Sequence, residues 1–238
     1  MAGAVAMDCT DQASINSASY RAENNTWGKG ALRGWSQCIG LGTGAGGVLL
    51  GRWTWSWSNS AGNVTGYPEV IFGQKPGKQS TSIVLPKKIS SIRVATVAYD
   101  VASTHTGSGN TAFDIWLTNT PNPSAFAVPP ITHEIMIWLE TYGDMRPDGT
   151  LVEVATIDGS LYSVFVAENV GQGWRYIAFQ SATPRLGAAT IDLAAFLSYV
   201  RYKGLATGDE YLASIEFGNE VISGTGETLL NSYAVLVE

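Results

Sequence analysis

His-Glu-Ile-Met-Ile-Trp-Leu, at residues 133–139, is the stretch of the chain that decides the fold. Side chains of a β-strand point alternately to its two faces, so the aliphatic residues of this run share one face and suit a core between two sheets. The other face carries Glu134, Met136 and Trp138. A carboxyl among large apolar groups is costly to ionise, and a pKa shifted in this way is useful in catalysis. A strand glutamate taken alone, however, more often faces water at an edge.

A second segment repeats this arrangement. Residues 213–221 read Ala-Ser-Ile-Glu-Phe-Gly-Asn-Glu-Val and place Glu216 and Glu220 on one face. Gly218 lies between them and predicts a gap where a ligand approaches the strand closely. Two strands that each carry a glutamate on a non-core face are what a two-carboxylate glycosidase requires. On a third strand, Asp114 could share a proton with one of these carboxylates, pair with an arginine or cap a turn.

Short extended segments separated by turn clusters recur along all 238 residues and indicate an all-β sandwich or jelly roll. The predicted strands are Val48–Ser58, Val70–Phe72, Ser82–Leu85, Ser91–Tyr99, Thr111–Leu117, His133–Glu140, Leu151–Ile157, Leu161–Phe165, Arg175–Gln180, Leu212–Val221 and Leu230–Val237. Asp158-Gly159, between two apolar runs, predicts a tight hairpin.

One segment has helical rather than strand periodicity. Apolar residues recur there at i, i+3, i+4 and i+7, namely Leu193, Phe196, Leu197 and Val200. Asp192 precedes them as an N-cap and Gly204 follows as a stop, which predicts a single helix over about 192–203 packed on a sheet. No linker and no internal repeat divides the chain, so we expect one domain at 9–238, preceded at 1–8 by the remnant of a leader or a tag.

Composition excludes several classes of protein. Only 14% of the residues are charged, and 27 Gly with 8 Trp do not fit a coiled coil or a disordered chain. The net charge of −6 without a basic run argues against nucleic acid as a partner. No apolar stretch approaches the ~20 residues that cross a bilayer. Two His and two Cys without ligand spacing predict no metal site, and we expect no cofactor and a monomer.

Cys9 and Cys38 form either one disulfide or two buried thiols, and their spacing does not decide between them. A chain rich in aromatic residues and in Asn, Ser and Thr favours secretion, and therefore an oxidising compartment.

The motifs together resemble glycoside hydrolase family 12, the small jelly-roll endoglucanases. Glu-Ile-Met-Ile-Trp-Leu at 134–139 resembles the nucleophile strand of that family, and Phe-Gly-Asn-Glu at 217–220 resembles its acid/base strand. The further pieces follow in the family's order: Asn-Asn-Thr-Trp-Gly at 24–28, Trp-Ser-Trp-Ser at 55–58, Gly-Tyr-Pro at 66–68 and Phe-Asp-Ile-Trp at 113–116. The resemblance spans 9–238 and implies a jelly roll of two antiparallel sheets with a concave substrate cleft.

The resemblance also implies a role for particular residues. Glu134 would be the nucleophile, Glu220 the general acid/base and Asp114 the residue that supports Glu134. The implied substrate-binding residues are Asn25, Trp27, Met136 and Trp138, to which we add Trp55 from the aromatic strand at 53–57. Cys9 and Cys38 would form the family's N-terminal disulfide. Two departures stand out: Val-Ile-Ser follows the acid/base glutamate, and an aromatic residue is missing near residues 11–13.

The function that follows is that of a secreted, retaining endo-β-1,4-glucanase acting on cellulose-like or mixed-linkage β-glucan. Retention requires the carboxyls of Glu134 and Glu220 to lie about 5–5.5 Å apart. The alternatives are a xyloglucan-specific endoglucanase of the same family and a non-catalytic carbohydrate-binding β-sandwich, which would release no reducing sugar. Glu216 is the main rival of Glu220, because strand alternation puts both on one face.

Overall fold

The computed structural model of the protein describes residues 5–58, 62–171 and 173–238. These ranges contain fifteen β-strands and one α-helix. The strands are β1 (Ser14–Ser17), β2 (Tyr20–Asn25), β3 (Ser36–Thr43), β4 (Leu49–Trp57), β5 (Tyr67–Gly73), β6 (Lys87–Lys88), β7 (Ala95–His105), β8 (Ser108–Thr118), β9 (Ile131–Tyr142), β10 (Thr150–Ile157), β11 (Ser160–Val170), β12 (Trp174–Ser181), β13 (Gly187–Asp192), β14 (Tyr211–Gly218) and β15 (Val221–Val237). The helix is α1 (Leu193–Tyr202).

The strands form two layers, as a jelly roll requires. The larger sheet has the order β1-β2-β5-β14-β8-β9-β12-β11-β10, and the smaller sheet has the order β3-β4-β15-β7-β13. The first residues of β15 pair with β8 of the larger sheet, and the rest of β15 pairs with β4 and β7. The prediction of two antiparallel sheets is wrong at one place: β12 enters between β11 and β9 and runs parallel to β9.

The hydrophobic core lies between the two sheets and follows from strand alternation. Ile135, Ile137 and Leu139 of β9 are fully buried in it, as predicted. Phe113 of β8 and Phe217 of β14 also lie in this core, with ring centroids 4.9 Å apart. The opposite side of the larger sheet, which we call the open face, therefore receives the side chains of Glu134, Asp114 and Glu216.

The predicted helix and hairpin are confirmed. The side chain of Asp192 accepts a hydrogen bond from the backbone N–H of Ala194 at 3.0 Å, as an N-cap does. Gly204 follows the helix with a φ of +68°, a conformation that glycine adopts at little cost. Asp158 and Gly159 form the two-residue turn between β10 and β11, and both have positive φ.

Several strand predictions need correction. Ser82–Leu85 is not a strand but a loop, in which Ser80 bonds to the carbonyls of Ser82 and Leu85. The predicted strand Leu212–Val221 ends at Gly218, and Val221 already begins β15. The sequence pattern also missed β1, β2, β3 and β13, where polar residues and glycines obscure the alternation.

The N-terminal region is tied to the sheets by a disulfide between Cys9 and Cys38. Asp8 forms a two-way backbone bridge with Ile39 of β3, so the ordered chain extends N-terminal to the expected domain start at residue 9. None of the helices in the described ranges is long and apolar enough to cross a membrane.

Candidate active site

Glu134 lies on the open face of β9, between β8 and β12. Its Oε2 accepts a hydrogen bond of 2.6 Å from the indole Nε1–H of Trp174. Burial, with added repulsion from Glu220 and Asp148, raises the pKa of Glu134 to about 8, and the Trp174 bond acts in the opposite direction. Glu134 is therefore a carboxyl whose charge has to be stabilised by its neighbours.

Glu220 lies in the two-residue turn that joins β14 to β15, and Asn110 of β8 holds it on both sides. The Asn110 side chain donates to Glu220 Oε2 at 2.5 Å and accepts from the Glu220 backbone N–H at 3.1 Å. Burial raises the pKa of Glu220 to about 7, with Asn110 lowering it and Asp148 raising it. The buried side-chain amide of Asn219 fixes the same turn from the core side. It forms hydrogen bonds of 2.6–3.0 Å with Trp53 and other buried groups.

The carboxyls of Glu134 and Glu220 lie close enough for the charge of Glu220 to raise the pKa of Glu134. Two carboxyls that repel each other lose their protons in two steps that belong to the pair. Burial raises the pKa of both glutamates, so the pair holds a proton to higher pH than ordinary carboxyls do. The groups that surround Glu134 must then determine where the proton lies.

Asp114 of β8 is paired in register with Met136 on one side and Glu216 on the other. Burial, and then the charges of Glu134 and Glu216, hold its pKa well above the usual range of a carboxyl. Its Oδ1 is buried and has no hydrogen-bond partner among the described residues. Asp114 consequently keeps its proton to higher pH than an ordinary carboxyl and can offer that proton to a neighbouring carboxylate.

Glu216 lies on the open face near Asp114, but its surroundings differ from those of Glu220. Lys75 Nζ lies 3.0 Å from Glu216 Oε2, and Ser214 donates to Oε1 at 2.8 Å. Although burial opposes ionisation, the charge of Lys75 and these hydrogen bonds lower the pKa of Glu216 below its ordinary value. Glu216 is a fully buried, paired carboxylate, so it has no proton to give to a leaving group.

Lys75 is the centre of a larger cluster, the Lys75 cluster, formed by Lys75, Glu23, Glu69, Glu216 and Arg21. Besides Glu216, its ammonium contacts Glu69 at 2.6 Å and Glu23 at 3.8 Å. Arg21 pairs with Glu23 at 2.8 Å. Burial holds the pKa of Glu69 well above the ordinary range despite the attraction of Lys75. The acidic side chains of this cluster therefore share the charge of Lys75 and Arg21.

Asn25 and Trp27 extend the open face beyond this cluster. Asn25 Nδ2 donates to Glu69 Oε1 at 2.9 Å, and Asn25 Oδ1 accepts from the backbone N–H of Trp27 at 3.3 Å. The Trp27 side chain is 65% exposed, which makes it the most exposed tryptophan among the described residues. An indole held open to solvent from a fixed backbone suits stacking on a sugar ring.

The other predicted substrate-binding residues are covered. Trp55 lies with Trp53 and Trp57 on the core face of β4 and is only 3% exposed, so it has no ring face to offer a sugar, and its assignment as a substrate-binding residue is corrected. Met136 and Trp138 do lie on the open face, but Met145 and Tyr176 pack with them and leave both nearly inaccessible. They form the floor beneath Glu134 rather than its rim.

Sequence reasoning missed several residues of this site, chiefly Trp174, Asn110, Lys75 and Asp148. Each lies on a different element from the glutamate it affects, so no local pattern points to it. Gly218 was misinterpreted: a Cβ there would meet Pro68 O of β5 at 2.3 Å, so this glycine serves close packing of two strands and not the approach of a ligand. In the described ranges, no group of His, Cys, Asp and Glu is arranged to hold a metal ion.

The geometry agrees with comparisons to known proteins. The model of Glycosyl hydrolase family 12 matches residues 18–238. Endoglucanase S of Pectobacterium parmentieri is 30% identical over 226 residues, which cover 92% of this chain and 82% of that protein. A probable xyloglucan-specific endo-beta-1,4-glucanase A of Aspergillus terreus is 28% identical. That match covers 96% of this chain and 86% of that protein.

Solved structures give the same result. The family 12 xyloglucanase from Bacillus licheniformis in complex with ligand superimposes with a TM-score of 0.87 at 26% identity, covering 98% of this chain and 100% of that one. Endoglucanase cel12A from Rhodothermus marinus superimposes with a TM-score of 0.84 at 26% identity, covering 98% and 99%.

Proposed function

The chain belongs to glycosyl hydrolase family 12, and from that premise we propose that Glu134 and Glu220 carry out a retaining cleavage of internal β-1,4-glucosidic bonds. Two half-buried carboxyls on the elements that flank β8, without an ion-pair partner in the described ranges, are the observation that carries this assignment. The enzyme is a glycoside hydrolase of the endoglucanase type.

In the first step Glu220 protonates the glycosidic oxygen while Glu134 attacks the anomeric carbon, which forms a covalent glycosyl-enzyme. In the second step Glu220, now ionised, takes a proton from water, and that water releases the sugar with its β-configuration retained. The pKa of Glu220 at about 7 suits both roles, because such a group can give and take a proton near neutral pH.

The shared proton has to lie on Glu220 when the substrate is bound. Glu134 has two groups to stabilise its charge, the indole N–H of Trp174 and the retained proton of Asp114. Among the described residues, the side chain of Glu220 receives a hydrogen bond from the amide of Asn110 alone. We therefore assign the negative charge to Glu134 and the proton to Glu220, with Asp114 as the supporting acid.

Asn25 and Trp27 are proposed to hold a glucosyl unit on the non-reducing side of the cleavage point. The exposed indole would stack on a sugar ring, and the Asn25 side chain, fixed by Glu69, would keep that indole at a constant distance from Glu134. The catalytic unit is 9–238, acting as a secreted monomer on an extracellular polysaccharide. Secretion is supported by the disulfide, which forms in oxidising compartments.

Cellulose-like or mixed-linkage β-glucan is the proposed substrate. Xyloglucan is the second candidate, because the Aspergillus terreus protein and the ligand complex at TM-score 0.87 are both named for that polysaccharide.

Rates of reducing-sugar release on carboxymethyl-cellulose, barley glucan, xyloglucan and xylan distinguish these possibilities. Faster release from barley glucan than from xyloglucan supports the first candidate, and the reverse order supports the second. The first-formed anomer, followed by NMR, tests retention, since early product in the β-form is required. An early α-anomer, or no release from any of the three glucans, contradicts the proposed function.

A further inference from the structure

Three aromatic side chains form a wall beside the nucleophile, and one of them touches it. Trp116 of β8, Trp174 of β12 and Phe126 pack edge to face, with ring centroids 4.8–5.7 Å apart. The two tryptophans are both buried, at 4% and 8% exposure. The two indole N–H groups differ: that of Trp174 donates to Glu134, whereas that of Trp116 has no partner among the described residues.

The position of Trp174 is tightly determined. It is the first residue of β12, two residues before Tyr176, which pairs in register with Glu134. The ring lies against Gly171, where a Cβ would approach two of its carbons to 2.5 and 2.6 Å. Packed in this way between Gly171 and Trp116, the indole has little freedom to turn away from the carboxylate.

We propose that Trp174 is a positioning residue for the reaction: its indole N–H holds Oε2 of Glu134, keeps that carboxylate ionised and leaves Oε1 free to attack the anomeric carbon. This proposal rests on the assignment of Glu134 as the nucleophile. A hydrogen bond from a neutral donor to a carboxylate favours the charged form, which lowers its pKa.

Among the described residues, Asp114 from β8 is the other group proposed to support the charge of Glu134. The remaining groups that face Glu134 act against its ionisation or are neutral, namely Glu216 from β14, Tyr176 from β12, Glu220 from the turn before β15, and Asp148 from the loop after β9. Trp174 is thus the donor already in contact with the nucleophile before the substrate arrives. Its removal should make Glu134 harder to ionise.

Trp174→Phe tests this with Trp116→Phe as the matched control. Both changes remove an indole N–H from the same aromatic wall, and both keep an aromatic ring. Each is made in the Glu220→Ala background and assayed with a dinitrophenyl cellobioside, whose leaving group needs no acid. Without its general base this variant hydrolyses the glycosyl-enzyme slowly, so the quantity measured is kcat/KM for dinitrophenol release, which covers only the steps up to that intermediate. Its pH dependence then reports the ionisation of the nucleophile.

We expect Trp174→Phe to shift the acid limb of this profile upward by about one pH unit and to lower the rate on that limb about tenfold. The rate should recover at higher pH, where Glu134 is ionised without help. Trp116→Phe should leave the limb in place.

An unshifted limb in Trp174→Phe overturns the proposal, as does an equal shift in both variants. A uniform loss at every pH, with a lowered melting temperature, shows a role in packing only and also overturns it. The assignment of Glu134 is tested separately, since a Glu134→Ala enzyme that still turns over refutes the proposed function whatever Trp174 does.

Discussion

The open face of the larger sheet holds two groups of buried carboxyls that differ in one respect. Glu23, Glu69 and Glu216 surround Lys75, with Arg21 beside them. Asp114 is buried, and Glu134 and Glu220 are half-buried, but no Lys or Arg of the described ranges forms an ion pair with these three. Glu216 is therefore ionised, whereas the pKa values of all three carboxyls in the second group are raised.

This difference separates a structural carboxylate from a catalytic one. A carboxylate neutralised by a buried ammonium gains stability but cannot exchange its proton near neutral pH. A buried carboxyl without a cation keeps its proton to higher pH and can exchange it during a reaction. The distinction supports the proposal of Glu220 rather than Glu216 as the acid/base, a choice that strand alternation alone left open.

The largest expected loss of activity comes from removing Glu134 or Glu220, which have no ion-pair partner in the described ranges. Glu134→Ala and Glu220→Ala should each lower kcat on barley glucan by at least about 1,000-fold, because each removes a group that touches the reacting atoms. Glu216→Gln should keep measurable turnover while it lowers stability. Circular dichroism must show that all three variants are folded. Loss of turnover in Glu216→Gln, together with an active Glu220→Ala, would make Glu216 rather than Glu220 the acid/base.

Removing the cation of the Lys75 cluster should affect stability. Lys75→Met leaves buried carboxylates without their partner, which costs about 3–5 kcal/mol in the free energy of unfolding. The exposed Lys78 of the same loop is the control, and Lys78→Met should change that free energy by less than about 0.5 kcal/mol. Urea unfolding measures the free energy of unfolding of both variants. Equal values for the two variants would contradict the distinction between the carboxyls around Lys75 and those that have no cation.

The pH dependence of this loss has a definite sign. The folded pKa of Glu216 is lowered, chiefly by Lys75, so the stability that this pairing contributes is present above the ordinary carboxyl pKa of 4.5 and disappears as the pH falls through the lowered value. The difference in free energy of unfolding between wild type and Lys75→Met should become smaller as the pH is lowered below 4.5. A gap that widened in acid would contradict the assignment of charge to Glu216.

A smaller effect is expected at Trp27, which the Lys75 cluster holds through Glu69 and Asn25. Trp27→Ala should lower kcat/KM on long glucans by about 2- to 10-fold, because stacking contributes about 0.5–1.5 kcal/mol. Its exposure predicts an unchanged melting temperature. Trp27→Phe, which keeps an aromatic ring at this position, serves as the control and should retain most of kcat/KM, whereas an unchanged kcat/KM in Trp27→Ala would place Trp27 outside the binding site.

The smallest effect concerns Asp148, an exposed residue whose charge raises the pKa of both Glu134 and Glu220. Asp148→Asn should lower the pKa of Glu220, so the basic limb of the kcat/KM profile should move to lower pH by less than about one unit. The shift should shrink at 1 M salt, where screening is strong. A basic limb that moves upward would show that Asp148 acts otherwise than through its charge.

The sequence predicted those parts of the site that depend on one strand. Alternation in residues 133–139 placed Ile135 in the core and Glu134 on the open face, and the caps of α1 were evident from Asp192 and Gly204. Contacts between distant strands were not predictable: Trp174 reaches Glu134 only because β12 lies parallel to β9. The same limit explains the error at Trp55, since periodicity cannot tell which face of a strand is covered.

The anomeric configuration of the products formed with azide tests the assignment of Glu134 and Glu220 most directly. With a dinitrophenyl cellobioside, Glu220→Ala should be rescued to the β-glycosyl azide, because azide attacks the glycosyl-enzyme without needing a base. Glu134→Ala should give the α-glycosyl azide, because azide then occupies the place of the nucleophile. The α-azide from Glu220→Ala, or a β-azide formed by Glu216→Ala while Glu220→Ala needs no rescue, would contradict the account.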